Sequence, residues 1–231
     1  MTISLPKNIR GIIFDLDGTL YQMQWFMKPL LTIKLFPNIL FLPRYLSIRK
    51  SFSGKDMGNG ELLLNAMAEK LSQKVKKGNK ETMLAWISNR FYREFDNIMP
   101  LLKGSRPEIN TVLSQLKQKG YKLGVLSDFA HVKERLNGLD IPCSTFDTLL
   151  SSESEGCLKP CTRPLHAIAE SWQLQPSTIL IIGDRDDTDG IAASQAGMQY
   201  LKISDKKNKP NNGFSWLQIK ESINTLPALE K

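Results

Sequence analysis

The stretch Gly11-Ile12-Ile13-Phe14-Asp15-Leu16-Asp17-Gly18-Thr19-Leu20 decides both fold and chemistry. Its first four residues form a continuous apolar run, as a strand buried on both faces of a parallel sheet requires. Two carboxylates follow, two residues apart, and Gly18 then lets the chain turn sharply away. Paired carboxylates at a strand end suit a nucleophile beside a general acid/base, or a divalent metal site. An Asp-x-Asp-Gly run also opens calcium loops. Here the position of the bidentate Glu falls on Phe26, which argues against that reading.

Outward from this strand, the C-terminal 130 residues alternate helix and strand. Ile109, Val112, Leu113 and Leu116 recur at helical spacing, with Gly120 as the stop. A short apolar-rich run, Tyr121–Leu126, follows and ends at Ser127-Asp128. Leu165, Ile168, Ala169 and Trp172 mark a second helix. Pro176-Ser177 break it, and Thr178–Ile182 run continuously apolar into Gly183-Asp184. A third helix over about Ile191–Ala196 stops at Gly197 and leads to a strand over Gln199–Ile203. This rhythm predicts an α/β fold, a three-layer Rossmann-like parallel sheet. Its ligands bind at the carboxyl ends of the strands, where Asp15, Ser127 and Asp184 would converge.

Residues 21–99 break the rhythm. Helix-like stretches over Glu61–Val75 and Glu81–Phe95 flank a Lys77-Gly78-Asn79 turn, and Pro29, Pro37 and Pro43 cut 22–50 into short pieces. A helical insertion is expected there, with 1–20 and 100–231 forming the core. Residues 21–100 hold 13 Lys and Arg against 6 Asp and Glu, nearly all of the chain's net +8. Such a block faces an anionic substrate, nucleic acid or membrane, or is simply a soluble surface. Leu30–Ile48 contains Lys34, Pro37, Asn38, Pro43 and Arg44, too many interruptions for a membrane span. Lys7 and Arg10 precede only four apolar residues before Asp15, which is no secretory signal. Cys143, Cys157 and Cys161 include no Cys-x-x-Cys pair, so a reduced, cytoplasmic protein with bystander cysteines is expected. His131 and His166 read as packing or surface residues. Trp25, Phe26, Phe36, Phe41 and Tyr45 read as core of the insert.

Four separated pieces occur in order: Asp15-x-Asp17-Gly18-Thr19; the strand-end Ser127; Lys159-Pro160 after Ser152-Glu153-x-Glu155-Gly156; and Gly183-Asp184-x-x-x-x-Asp189. Together they resemble the motifs of the haloacid dehalogenase superfamily, in its phosphatase branch with an α-helical cap inserted after the first motif. The resemblance implies a Mg²⁺-dependent phosphomonoester hydrolase acting on a small phosphorylated metabolite through an aspartyl phosphate. Asp15 would be the nucleophile and Asp17 the general acid/base. Thr19, Ser127 and Lys159 would bind the substrate, with Ser127 and Lys159 also catalytic. Asp15, Asp17, Asp184 and Asp189 would hold Mg²⁺, with Asp187 competing against Asp189, and Asp186 solvated or paired with Arg185. Asp128 stands where the family often has Asn. An acid at Asp17 argues against dehalogenase and phosphonate-cleaving chemistry. A phosphomutase, or a nucleic-acid or membrane-surface binding protein using the basic insert, remain the alternatives. No nucleic-acid partner is expected, and the chain would be a monomer or homodimer. The basic cap leads us to expect substrates with a second anionic group.

Overall fold

A computed structural model describes residue 3 and residues 5–75, 78–102, 104–204 and 213–229. Five parallel strands form one sheet: β1 (Gly11–Phe14), β2 (Lys122–Ser127), β3 (Thr148–Ser151), β4 (Ile179–Gly183) and β5 (Gln199–Lys202). Their order is β3-β2-β1-β4-β5, so the chain winds outward from β1 in both directions. Phe14 is level with Val125 on one side and Ile182 on the other. The strand order reverses at β1, the place where α/β sheets open a crevice beyond their carboxyl ends.

Successive β1 residues feed opposite faces of the sheet. Ile12 and Phe14 join a core that takes in Leu113 and Leu116 of α6 (Ile109–Gln118). Ile13 faces a second cluster with Leu165, Ile168 and Trp172 of α8 (Arg163–Trp172). Gly120, at a φ of +90°, closes the turn between α6 and β2. The first cluster continues without a break into Tyr45, Met67 and Phe91 of the inserted helices.

The helices between β1 and α6 are α1 (Met27–Lys34), α2 (Phe41–Ser51), α3 (Gly60–Lys74), α4 (Lys80–Ala85) and α5 (Tyr92–Ile98). A π-helical stretch, Trp86–Phe91, joins the last two. Asn59 and Asn79 cap α3 and α4 by accepting the amide hydrogens of Leu62 and Thr82, each at 2.9 Å. Lys77 of the expected turn lies outside the described residues. Tyr45, Trp86, Phe91 and Phe95 pack ring against ring. The aromatic series expected in this core divides: Tyr45 is buried and Phe26 and Phe41 half-buried, but Trp25 is 86% and Phe36 69% exposed. Among the described residues no helix is long and apolar enough to cross a membrane.

Three further elements lack a counterpart in the pattern reading: β3, α7 (Val132–Gly138) and α10 (Trp216–Asn224). The remaining helix, α9 (Ile191–Gln195), lies where periodicity placed it. A solvated loop expected over 205–213 lies outside the described residues except for Gly213.

Candidate active site

Asp15 leaves the end of β1 between β2 and β4, with its amide donating to the Ile182 carbonyl at 2.9 Å. Its carboxylate is buried and receives two donors. Lys159 Nζ lies 2.7 Å from Oδ1, and the Thr19 hydroxyl donates to Oδ2 at 3.1 Å. The same ammonium reaches Asp189 Oδ1 at 2.6 Å. Burial alone would lower the proton affinity of Lys159, but the Asp15 and Asp189 carboxylates outweigh it and hold the amine protonated. Thr19, expected on the substrate, spends its proton on Asp15.

Asp15, Asp184 and Asp189 each bring a carboxylate oxygen within 4.8 Å of the others. Two glycines permit this approach. A Cβ on Gly18, whose φ is +94°, would stand 2.6 Å from Asp184 Oδ2; one on Gly183 would stand 2.5 Å from the Asp189 carboxylate. Burial, then the neighbouring charge of Asp189, pushes Asp184 up to about 6. Burial likewise drives Asp15 well up, opposed chiefly by Lys159. Three crowded carboxylates facing one ammonium leave negative charge in need of a cation, and an all-oxygen donor set fits a hard divalent ion.

Asp17 differs from its expected place among the metal ligands. Its carboxylate is taken by the Arg135 guanidinium (2.6 and 2.7 Å), the Tyr21 hydroxyl (2.8 Å) and the Ser127 hydroxyl (3.1 Å). Burial pushes Asp17 up, but Arg135 and these hydrogen bonds prevail and hold it below the usual carboxylate range. Ser127 also accepts from Arg135 at 2.7 Å and from the Phe129 amide at 3.2 Å. Serine thus ties the end of β2 to the acid at the end of β1.

Arg135 is the main site residue that pattern reading missed. It is fully buried on α7, between Val132 and Leu136. A cation inside the apolar stripe of a helix was the available signal, since charges are almost never fully buried without a partner. Two other buried arginines shape the site. Arg106 donates to the carbonyls of Gly18 (2.7 Å) and Thr19 (3.0 Å), clamping the turn after β1. Arg49 of α2 forms an ion pair with Glu153 and donates to the Asp128 carbonyl at 2.7 Å. The Asp128 carboxylate accepts the Lys159 amide at 2.9 Å, so the extra acid holds the loop that carries the lysine.

In the acidic loop, Asp189 is buried and joins the carboxylate group, whereas the exposed Asp187 pairs with Arg185 (2.6 Å). Asp186, expected to be solvated or on Arg185, pairs with Lys202 instead. Two of the cysteines expected as reduced bystanders are oxidised. Cys157 and Cys161 form a disulfide across Lys159-Pro160, their Cα atoms 5.6 Å apart. The loop folds back on itself there, which a search for Cys-x-x-Cys spacing does not detect. Among the described residues Cys143 is a free thiol. His131 stacks on Tyr92 and lies 2.6 Å from Asp96, a packing role.

A family model for haloacid dehalogenase-like hydrolases matches residues 9–197. Phosphoglycolate phosphatase of Pasteurella multocida is 29% identical over 207 residues, covering 83% of this chain and 84% of its own. Glyceraldehyde 3-phosphate phosphatase of Methanothermobacter thermautotrophicus is 26% identical over 206 residues, covering 85% of this chain and 86% of its own. Among solved structures, a HAD phosphatase from Thermococcus onnurineus superposes with a TM-score of 0.66 at 18% identity, covering 96% of this chain and all of that one. At that identity the superposition speaks to the fold.

Proposed function

The chain belongs to the haloacid dehalogenase-like hydrolases, and from that premise we propose that it hydrolyses phosphate monoesters of small metabolites in a Mg²⁺-dependent, two-step reaction through Asp15. The observation that carries this reading is the triple arrangement around one buried carboxylate. Asp15 has Lys159 at 2.7 Å, two further carboxylates beside it, and a second acid, Asp17, two residues on.

Asp15 would attack phosphorus, forming a bond from its carboxylate oxygen as the ester oxygen departs, so that one difficult displacement becomes two easier ones. Asp17 would give its proton to the departing alkoxide and then take one from the water that releases phosphate. Positioned proton transfer of this kind contributes roughly 10²–10⁴-fold. Arg135 holds Asp17 ionised at rest, which suits the second step. An arriving phosphate dianion raises its proton affinity and so favours the acid form that the first step needs. Lys159 would stabilise the phosphoryl oxygens, and Ser127 would turn its proton from Asp17 toward one of them. Asp15, Asp184 and Asp189 would hold Mg²⁺. When bound, the ion lets the anionic carboxylate and phosphate approach each other.

The test is phosphate release from a panel of phosphate esters with Mg²⁺, comparing the wild-type chain with Asp15→Asn. Wild-type turnover is expected to need Mg²⁺, and the variant to lose at least about 10³-fold while staying folded, since an amide is a poor nucleophile. Unchanged release by Asp15→Asn would overturn the assignment. Isomerisation of sugar phosphates without release would favour a phosphomutase.

A further inference from the structure

The leaving group would depart toward Asp17, so the surroundings of Asp17 describe the alcohol that the enzyme accepts. There a cavity of about 110 Å³ lies between α1, α2, the α4–α5 helix and the loop after β2. Met27, Leu31, Leu42, Phe95 and Phe129 supply its walls, with Asp17 at the inner end. The polar oxygens at that end are already spoken for by Arg135, Tyr21 and Ser127. Among the described lining residues the one cation is Lys28, which is exposed to solvent. Arg49, Lys50 and Arg185 line an adjoining cleft of about 380 Å³ that shares Lys28, Leu46 and Phe129 with the first.

Resting on the hydrolase reading above, the geometry points to monophosphate esters of apolar alcohols, with a short aliphatic group seated beside Asp17, as the preferred substrate class. A carboxylate or second phosphate in this chamber would be desolvated against carbon and sulfur, because the buried guanidiniums behind its walls, Arg135 against Phe95 and Arg49 against Phe129, are already paired with Asp17 and Glu153. An alkyl group replaces water there at a gain. A dry cavity of about 150 Å³ accepts benzene, so this one holds about four carbons. Met23, another lining residue, is 43% exposed, and a longer chain would leave the chamber at that point. Among the described lining residues Lys28 alone brings the insert's basic charge to this chamber, and from solvent, contrary to the expectation of a second anionic group.

A matched series tests this: ethyl, butyl and hexyl phosphate against glycerol 1-phosphate and phosphoglycolate, with p-nitrophenyl phosphate as a general reporter of turnover. From ethyl to butyl phosphate, kcat/KM should rise by about fourfold per methylene, the ratio that burial of one CH₂ supplies, and then level off at hexyl. Butyl phosphate should exceed phosphoglycolate by at least about tenfold. Leu46→Lys, which adds a cation at the rim, should narrow that ratio; if the variant does not fold, the wild-type series decides alone. A profile flat in chain length, or phosphoglycolate equal to butyl phosphate, overturns the apolar assignment while leaving the hydrolase intact. Failure to release phosphate from every ester, p-nitrophenyl phosphate included, overturns the hydrolase reading and this inference with it.

Discussion

Lys159 stands between Asp15 and Asp189, 2.7 and 2.6 Å away, while among the described residues no cation hydrogen-bonds to the Asp184 carboxylate. Burial, then the charge of Asp189, pushes Asp184 up to about 6, and Lys159 and Arg185 offset this only in part. The sign follows directly. A carboxyl raised above its unfolded value binds a proton more tightly when folded, so the metal-free protein loses stability as pH rises from about 4 through 6. A divalent cation reverses this by favouring the ionised form, and protons compete with it below about pH 6. Thermal unfolding with and without Mg²⁺ should show a clear rise in Tm at pH 7.5 that fades by pH 5. An equal rise at both values would show that Asp184 does not govern binding. At this scale the acids were legible because their types and spacing are fixed by the chemistry. Arg135, Arg106 and Arg49 were not, because a buried arginine shows its purpose only once its partner, distant in sequence, is known.

Helix α7 shows how an element outside the expected pattern serves the site. Only seven residues long, it is too short for periodicity to declare itself, yet it delivers a fully buried guanidinium to Asp17. Strand β3 escaped notice for a similar reason: it is a four-residue edge strand, only half-buried for most of its length. By contrast β1 and β4 are continuous apolar runs, β2 is apolar-rich after its exposed Lys122, and α6 and α8 present full apolar stripes, so their type was plain. Replacing Arg135 by Met keeps the bulk but leaves the half-buried Asp17 without its cation. Breaking a buried pair in this way costs about 3–5 kcal/mol, and a misplaced acid should lower kcat by roughly 10²–10⁴-fold. Arg135→Lys retains the charge beside Asp17 but not the second guanidinium nitrogen, which reaches the Ser127 hydroxyl and the Phe129 carbonyl, and should recover stability more than turnover. Urea unfolding and steady-state kinetics on both variants check this. Wild-type kcat in Arg135→Met would show the pair to be structural alone.

Across the whole molecule, doubly wound topology gathers residues 15, 127, 159, 184 and 189 at one sheet edge, and the inserted helices close over that edge through one continuous apolar core. Contacts from the insert reach the loop that carries Lys159: the Ser53 hydroxyl donates to the Lys159 carbonyl at 2.6 Å, and the Gly54 amide to the Leu158 carbonyl at 3.1 Å. That helices rather than strands follow β1 was legible from the loss of β pattern. What the insert presents to the leaving group was not, since helical spacing does not tell which apolar side chains face the site and which fill the core. The central claim is covalent catalysis by Asp15, and its most direct test uses Asp17→Asn with p-nitrophenyl phosphate and Mg²⁺. That leaving group needs no proton, so phosphorylation should proceed while the loss of the base stalls hydrolysis. After an acid quench, borohydride reduces an aspartyl phosphate to homoserine, and peptide mass spectrometry then locates it. Homoserine at position 15 is the predicted result; release of p-nitrophenol with Asp15 unmodified throughout would contradict the account.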